Sequence, residues 1–325
     1  MTATLPVQSE CRDRDGNAAA ASRAVRLADA VRALVGTETL VLAGEPLARR
    51  TTLRVGGPAD AYVEPASEQD LVTVRRFCAA ESIPFMILGR GSNLLVRDGG
   101  VRGVVVCLAH PYFGKVTVEG EALRCGAGAR LKQVAAEARR HGLAGLEFLE
   151  GIPGSVGGAL RMNAGAHQAW IFDRVTRVRF MAPGGEVQER PVAEVPAQYR
   201  DCPLLRTHVA LAVVLGGSPG TEAEIRTRMD DLARLRRQSQ PREPSAGCIF
   251  KNPAAVPAGR LIDGLGLKGR RHGGAMISDV HANFMVNSGG ATARDFLELI
   301  ESVRRQAHAE RGVWLETEVE IVGED

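Results

Sequence analysis

Lysine is nearly missing from this chain. Only Lys115, Lys132, Lys251 and Lys268 occur in 325 residues, and arginine supplies the rest of the 41 basic side chains. A lysine kept in that background marks a place where a compact ammonium is wanted rather than a planar fork. Net charge is small as well: 41 basic against 38 acidic residues give +3. That balance argues against a nucleic-acid surface and leaves room only for a local basic pocket. There is no apolar run of membrane-spanning length. The opening M-T-A-T-L-P-V-Q-S-E-C-R-D-R-D puts charges where a secretion signal needs apolar residues, so a cytoplasmic location is expected. No two of the six cysteines form a C-x-x-C pair, so no metal site is expected and the thiols are read as reduced. Internal repeats are absent too.

What is present is an ordinary globular composition, 45% hydrophobic and 24% charged, in a chain long enough for two or three domains. Residues 1–21 are polar and alanine-rich without periodicity and are expected to be a disordered extension. Residues 22–107 begin with a helix carrying Leu27, Val31 and Leu34 at helical spacing and closed by Gly36. β-like runs then surround one helix, capped by Ser67. In residues 108–217 strands dominate, with hairpins at V-T-V-E-G-E-A-L-R-C and V-T-R-V-R-F-M-A-P-G-G-E-V-Q-E-R and one helix ending at Gly142. Gly216–Gly220 reads as a linker. A third domain, 221–315, starts with a capping box from Thr221 to Glu224 and carries a long helix with Phe296, Leu299, Ile300 and Val303 on one side. Residues 316–325 read as a final strand, with Glu316, Glu318 and Glu320 on one face. The class is α+β.

Two glycine-rich stretches carry the first chemical signal. G-R-G-S-N, Gly89 to Asn93, lies between two strands, where successive N–H groups can turn toward an anion. It lacks the third glycine and following helix of a Rossmann loop. G-I-P-G-S-V-G-G-A-L-R-M-N-A-G-A, Gly151 to Ala166, fixes an unusual backbone path before a short helix. Each alone also reads as a tight turn or crossover, but two in one module favour a dinucleotide. Arg200, in Y-R-D-C, reads as a carboxylate clamp or a solvated charge. S-A-G-C-I-F-K-N-P, Ser245 to Pro253, leaves Cys248 open as a nucleophile, a metal ligand or a buried filler.

Taken together and in order, these stretches with G-L-K-G, H-A-N-F-M-V-N and L-E-T-E-V resemble the UDP-N-acetylenolpyruvoylglucosamine reductases (UDP-N-acetylmuramate dehydrogenases) of bacterial peptidoglycan synthesis. The resemblance runs from about residue 45 to 323. It implies an FAD-binding module of the PCMH/vanillyl-alcohol-oxidase type, made of two subdomains, followed by an α+β domain that binds a UDP-sugar. The short interval from Arg200 to Cys248 matches the compact type II form. FAD is expected to be noncovalent, with NADPH as co-substrate and no nucleic-acid or membrane partner. A monomer or weak oligomer is expected.

The implied reaction delivers hydride from flavin N5 to C3 of the enolpyruvyl group and a proton to C2. By matching motifs, Arg200 and Glu318 fall on catalytic positions. Gly89, Arg90, Gly91, Ser92, Asn93, Gly151, Ile152, Gly154, Ser155, Gly157, Gly158, Asn163 and Gly165 fall on cofactor positions. Tyr199, Lys251, Asn252, Lys268 and His281 fall on substrate positions. The chain departs from the pattern at three places. Cys248 stands where the family's proton donor is a serine, Ser239 where a lysine or arginine is frequent, and His167 where tyrosine is frequent. A thiol, with a reference pKa of about 8.5, is a stronger acid than an alcohol, and nearby Lys251 would push it toward thiolate. Two rival readings are another flavin oxidase of the superfamily and a catalytically degenerate homologue. The reductase-type motifs of the C-terminal third disfavour the first. Arg200, Lys251, Asn252 and Glu318 disfavour the second.

Overall fold

The computed structural model describes the backbone of residues 8–325 and the side chains from residue 19 onward. Helix α1, Gln8–Arg32, leads into strands β1, Leu40–Pro46, and β2, Pro58–Glu64. The expected disordered extension is therefore corrected over residues 8–21, which are helical. Ala18–Ala21 has high helix propensity and carries the helix backward. Residues 1–7 lie outside the described residues.

Helix α2, Glu68–Ala80, starts as expected at Ser67, whose side chain accepts from the Asp70 N–H. Strands β3, Phe85–Leu88, β4, Leu94–Val96, and β5, Val101–Cys107, follow. The first sheet has the order β1-β2-β5-β3. β2 and β5 are central, and the unbroken burial of Ala59–Val63 and Val104–Val106 suits strands covered on both faces.

The second subdomain pairs β6, Val116–Glu119, with β7, Ala122–Gly126. Helix α3, Leu131–Arg140, buries Leu131, Val134, Ala135 and Ala138, one stripe at helical spacing. A short helix α4, Val156–Arg161, then precedes strands β8, Val175–Met181, β9, Val187–Pro191, and β10, Val209–Gly216. The sheet order is β9-β8-β10-β7-β6.

Gly216–Gly220 is not a free linker. Ser218–Pro219 pairs antiparallel with Leu143–Ala144 and pins the chain to the second subdomain. Helix α5, Glu222–Ser239, opens with the expected Thr221–Glu224 capping box. Its buried Ile225 and Met229 join the core of the FAD-binding module, however, not that of the C-terminal domain. The division expected at residue 221 thus falls, by packing, after α5.

The C-terminal domain holds β11, Ser245–Cys248, α6, Ala258–Gly264, β12, Arg271–His272, β13, Ala275–Ile277, β14, Phe284–Asn287, and α7, Ala293–Arg311. Its sheet order is β11-β14-β13-β12, and Phe296, Leu299, Ile300 and Val303 of α7 pack into its core. The last strand, β15, spans only Glu320–Val322 and pairs in parallel with β4 of the first subdomain. Residues 316–319 are not in that ladder, so the three glutamates share no face. Glu316 is exposed, Glu318 is buried against Arg200, and Glu320 pairs with Arg161. Among the described residues no helix is long and apolar enough to cross a membrane.

Candidate active site

A cleft of about 920 Å³ runs between the FAD-binding module and the C-terminal domain. It is bordered by the loop joining β3 to β4, the turn before α4, β11, and the segment before β15.

The first loop, Gly89–Asn93, passes under the backbone of residues 50–51. Gly91 has φ 61°, and a Cβ there would meet the Arg50 carbonyl at 2.5 Å. Only glycine fits such a path. The Thr52 hydroxyl binds both the Gly91 carbonyl at 3.2 Å and the Ser245 carbonyl at 2.6 Å, fastening this loop to β11. Asn93 does more than border the cleft. Its amide donates to the Glu318 carbonyl at 3.0 Å, and its carbonyl accepts from the Glu320 N–H.

The second glycine stretch turns at Ser155, whose hydroxyl caps α4 by accepting from the Gly158 N–H. A side chain on Gly158 would meet only Ser155 Oγ, at 3.5 Å. The space in front of it is the cleft itself. Gly157 packs so close to Ala127 that a Cβ would lie 3.1 Å from the Ala127 Cβ. Gly89, Arg90, Gly91, Ser92, Asn93, Ile152, Gly154, Ser155, Gly157, Gly158 and Gly165 all line the cleft. Gly151 and Asn163 do not. Asn163 is buried with φ 37°, and its amide bonds the Gln198 carbonyl at 3.1 Å. Its observed contacts hold another turn of the chain.

That turn carries Arg200. Gln198 and Asp201 pair across a two-residue hairpin with Tyr199 and Arg200 at its tip. Arg200 has φ 57°, an uncommon region for a side-chain-bearing residue, found at sites where the surroundings hold it in place. Its Nε donates to Glu318 Oε1 at 2.6 Å, and its guanidinium lies 5.1 Å from the Trp170 ring and 5.2 Å from the Tyr199 ring. The pair is well buried, at 19% and 13% side-chain exposure. Among the described residues Arg200 Nη1 is buried without a hydrogen-bond partner, which leaves one N–H group of the guanidinium open on the cleft side of the Glu318 pair.

Cys248 ends β11 and lines the same cleft as Arg200 and Glu318. Burial, followed by the Glu318 carboxylate, pushes its thiol up to about 12, against Arg200, Asn283 and Arg236, which favour the thiolate. Burial also raises Glu318, against the pull of Arg200 and Lys251. Lys251 does not enter the cleft. It points outward to Glu316 at 3.3 Å.

The other expected substrate residues lie outside the cleft lining as well. Asn252 accepts from the Ala258 N–H at the start of α6, and Lys268 pairs with Asp263. His281 accepts from the Asn283 N–H, with burial, then Lys268, lowering its proton affinity. Tyr199 is exposed beside Arg200. Arg236, Arg161 and Thr52 escaped the sequence reading. Arg161 stands inside the second glycine stretch, where the glycines drew the eye, whereas Arg236 and Thr52 lie on segments that carry no motif of their own.

Glycine loops facing a long cleft, with one N–H group of the Glu318-paired Arg200 guanidinium left open among the described residues, fit an FAD-sized dinucleotide beside an anionic substrate. Residues 59–190 match the model of an FAD binding domain, and residues 240–322 match that of the C-terminal domain of UDP-N-acetylenolpyruvoylglucosamine reductase. The chain is thus an FAD-containing oxidoreductase with an FAD-binding module and a second α+β domain. Curated reductases of that name are 45% identical in Pelobacter propionicus, covering 88% of this chain and 97% of theirs, and 44% identical in Syntrophus aciditrophicus, covering 88% and 93%. The crystal structure of the UDP-N-acetylenolpyruvylglucosamine reductase of Thermus caldophilus, 39% identical, covers 87% of this chain and 98% of its own with a TM-score of 0.74. The chain belongs to the UDP-N-acetylenolpyruvoylglucosamine reductase family.

Proposed function

We propose that this NADPH-dependent flavoenzyme reduces the enolpyruvyl ether of its UDP-sugar substrate with Cys248 as proton donor to C2 and Arg200 and Glu318 as the charge-stabilising pair. The observation that carries this reading is the convergence of the three side chains on one cleft, with the donor thiol protonated. Bound flavin supplies the hydride that NADPH brings to the site.

The chain's own residues do the remainder. The glycine loops at 89–93 and 154–158 hold the dinucleotide. Arg200 Nη1 meets the negative charge that develops on the substrate as hydride arrives, while Nε stays on Glu318. The thiol then gives its proton to C2: the S–H bond breaks, a C–H bond forms, and the electron pair stays on sulfur. Burial and the Glu318 charge keep Cys248 protonated until that moment, and Lys251, turned out to Glu316, is not among the groups that oppose them. Lys251, Asn252, Lys268 and His281, outside the cleft lining, serve the nucleotide end of the substrate. The reaction belongs to peptidoglycan synthesis, with the enzyme cytoplasmic and monomeric or weakly oligomeric.

The test is anaerobic turnover with NADPH and the enolpyruvyl UDP-sugar. Flavin reduced by NADPH is reoxidised when the sugar is added; flavin that stays reduced overturns the assignment. Cys248→Ser keeps substantial turnover, whereas Cys248→Ala loses about a hundredfold or more, the usual worth of a general acid. Equal, near-native rates in both variants remove Cys248 from the mechanism.

A further inference from the structure

Asn283 is 2% exposed and sits one residue before β14. Its side chain grips both polar groups of one residue: Oδ1 accepts from the Phe250 N–H at 3.0 Å, and Nδ2 donates to the Phe250 carbonyl at 2.8 Å. The Asn283 carbonyl accepts from the Ile249 N–H at 2.8 Å. The Ile249 carbonyl, on the other side, accepts from the Glu318 N–H at 2.8 Å, and Lys251 N–H donates to the Glu316 carbonyl. The chain segment right after Cys248 is thus strapped between Asn283 and the backbone that carries Glu318. The amide also favours the anionic form of the Cys248 thiol.

A buried asparagine that only filled space would leave costly polar groups, so each of its bonds has to be made. Here they fall on Ile249 and Phe250, the two residues that directly follow Cys248. We infer that Asn283 is a positioning residue for the proposed proton transfer: through Ile249 and Phe250 it locks the segment that follows Cys248 in register with the backbone of Glu318. This rests on the reading of Cys248 as the donor. The charged groups that act on the thiol are Glu318, Arg200 and Arg236, and none of them supplies this backbone lock.

The experiment uses the full chain loaded with FAD, in the forms Asn283→Ala, Asn283→Asp and Cys248→Ala. Flavin reduction by NADPH and flavin reoxidation by the enolpyruvyl UDP-sugar are timed separately under anaerobic conditions. In Asn283→Ala, reduction stays within about twofold of native. Reoxidation slows by about tenfold to a hundredfold, as a small misplacement of the donor does. Substrate affinity changes little, and the pH midpoint for iodoacetamide labelling of Cys248 moves up, because a group favouring thiolate is gone. Asn283→Asp recovers reoxidation as pH falls and its carboxyl becomes a neutral O–H donor of the same shape.

Reoxidation at the native rate in both variants overturns the inference. So does an equal slowing of both half-reactions with loss of flavin in both, which marks a purely structural residue. If Cys248→Ala keeps its reoxidation rate, the donor reading fails and this inference fails with it. If Cys248→Ala is slow and Asn283→Ala is not, only the positioning role fails.

Discussion

At the scale of single residues, the proposed chemistry turns on one carboxylate that bears on two neighbours. Glu318 holds Arg200 at 2.6 Å and, after burial, is the strongest influence keeping Cys248 protonated. Replacing it by an uncharged amide removes that push, while Arg200 goes on favouring the thiolate. In Glu318→Gln the thiol pKa therefore falls from about 12. A fall of one unit multiplies the thiolate fraction at pH 8 about tenfold. Iodoacetamide labelling of Cys248 at that pH, followed by intact mass, should speed up to that degree; an unchanged rate contradicts the coupling. Proximity in the sequence makes Lys251 a candidate to turn the acid into a thiolate. Three positions in the chain separate them, but the side chain of Lys251 points out to Glu316.

At the scale of elements, helix ends bind the domains to one another. Both carboxylate oxygens of Asp98, in the loop after β4, accept from the first N–H groups of α7, Ala293 at 2.8 Å and Arg294 at 3.0 Å. Thr292 and Asp295 complete a capping box at the same end. A carboxylate at a helix N-terminus satisfies open donors and complements the helix dipole. Asp98→Ala is expected to lower unfolding free energy by about 1–3 kcal/mol, and Thr292→Ala by about 1 kcal/mol. Chemical denaturation of the FAD-loaded protein measures both. A smaller loss for Asp98→Ala than for Thr292→Ala would show that the contact across the domains carries no weight. The apolar face of α7 was legible from spacing alone, because Phe296, Leu299, Ile300 and Val303 obey the helical period. Asp98 was not, since a loop aspartate 195 residues away has no local pattern to mark it as a cap.

At the scale of the whole molecule, the C-terminus closes the site. β15 crosses back from the C-terminal domain to pair with β4, and Arg97 and Arg102 of the first subdomain hold Asp325 and Glu324. Glu318 precedes that strand by two residues, so its place depends on an anchor outside its own domain. Deleting residues 320–325 keeps Glu318 in the chain but frees it. Substrate-driven flavin reoxidation is expected to drop by about a hundredfold, as misplacement by an ångström can do, while Arg200→Lys in that background costs little more. A truncated enzyme that turns over at the native rate would show that the pairing with β4 does not position the carboxylate.

The amino-acid sequence by itself determined the family, the α+β class, most strands and helices, the caps at Ser67 and Thr221, and the glycine loops. These follow from ordered motifs and from periodicities that a few neighbouring residues express. Tertiary structure alone decided where the site residues lie and what they touch. It placed Asn163 under the Arg200 turn, tied Asn93 to the Glu318 backbone, gave α5 to the core of the FAD-binding module, and turned Lys251 away from Cys248. It also set the thiol's protonation. The physical reason is common to all of these. Burial and pairing arise between groups far apart in the chain, 118 positions for Arg200 and Glu318, and no local pattern contains them.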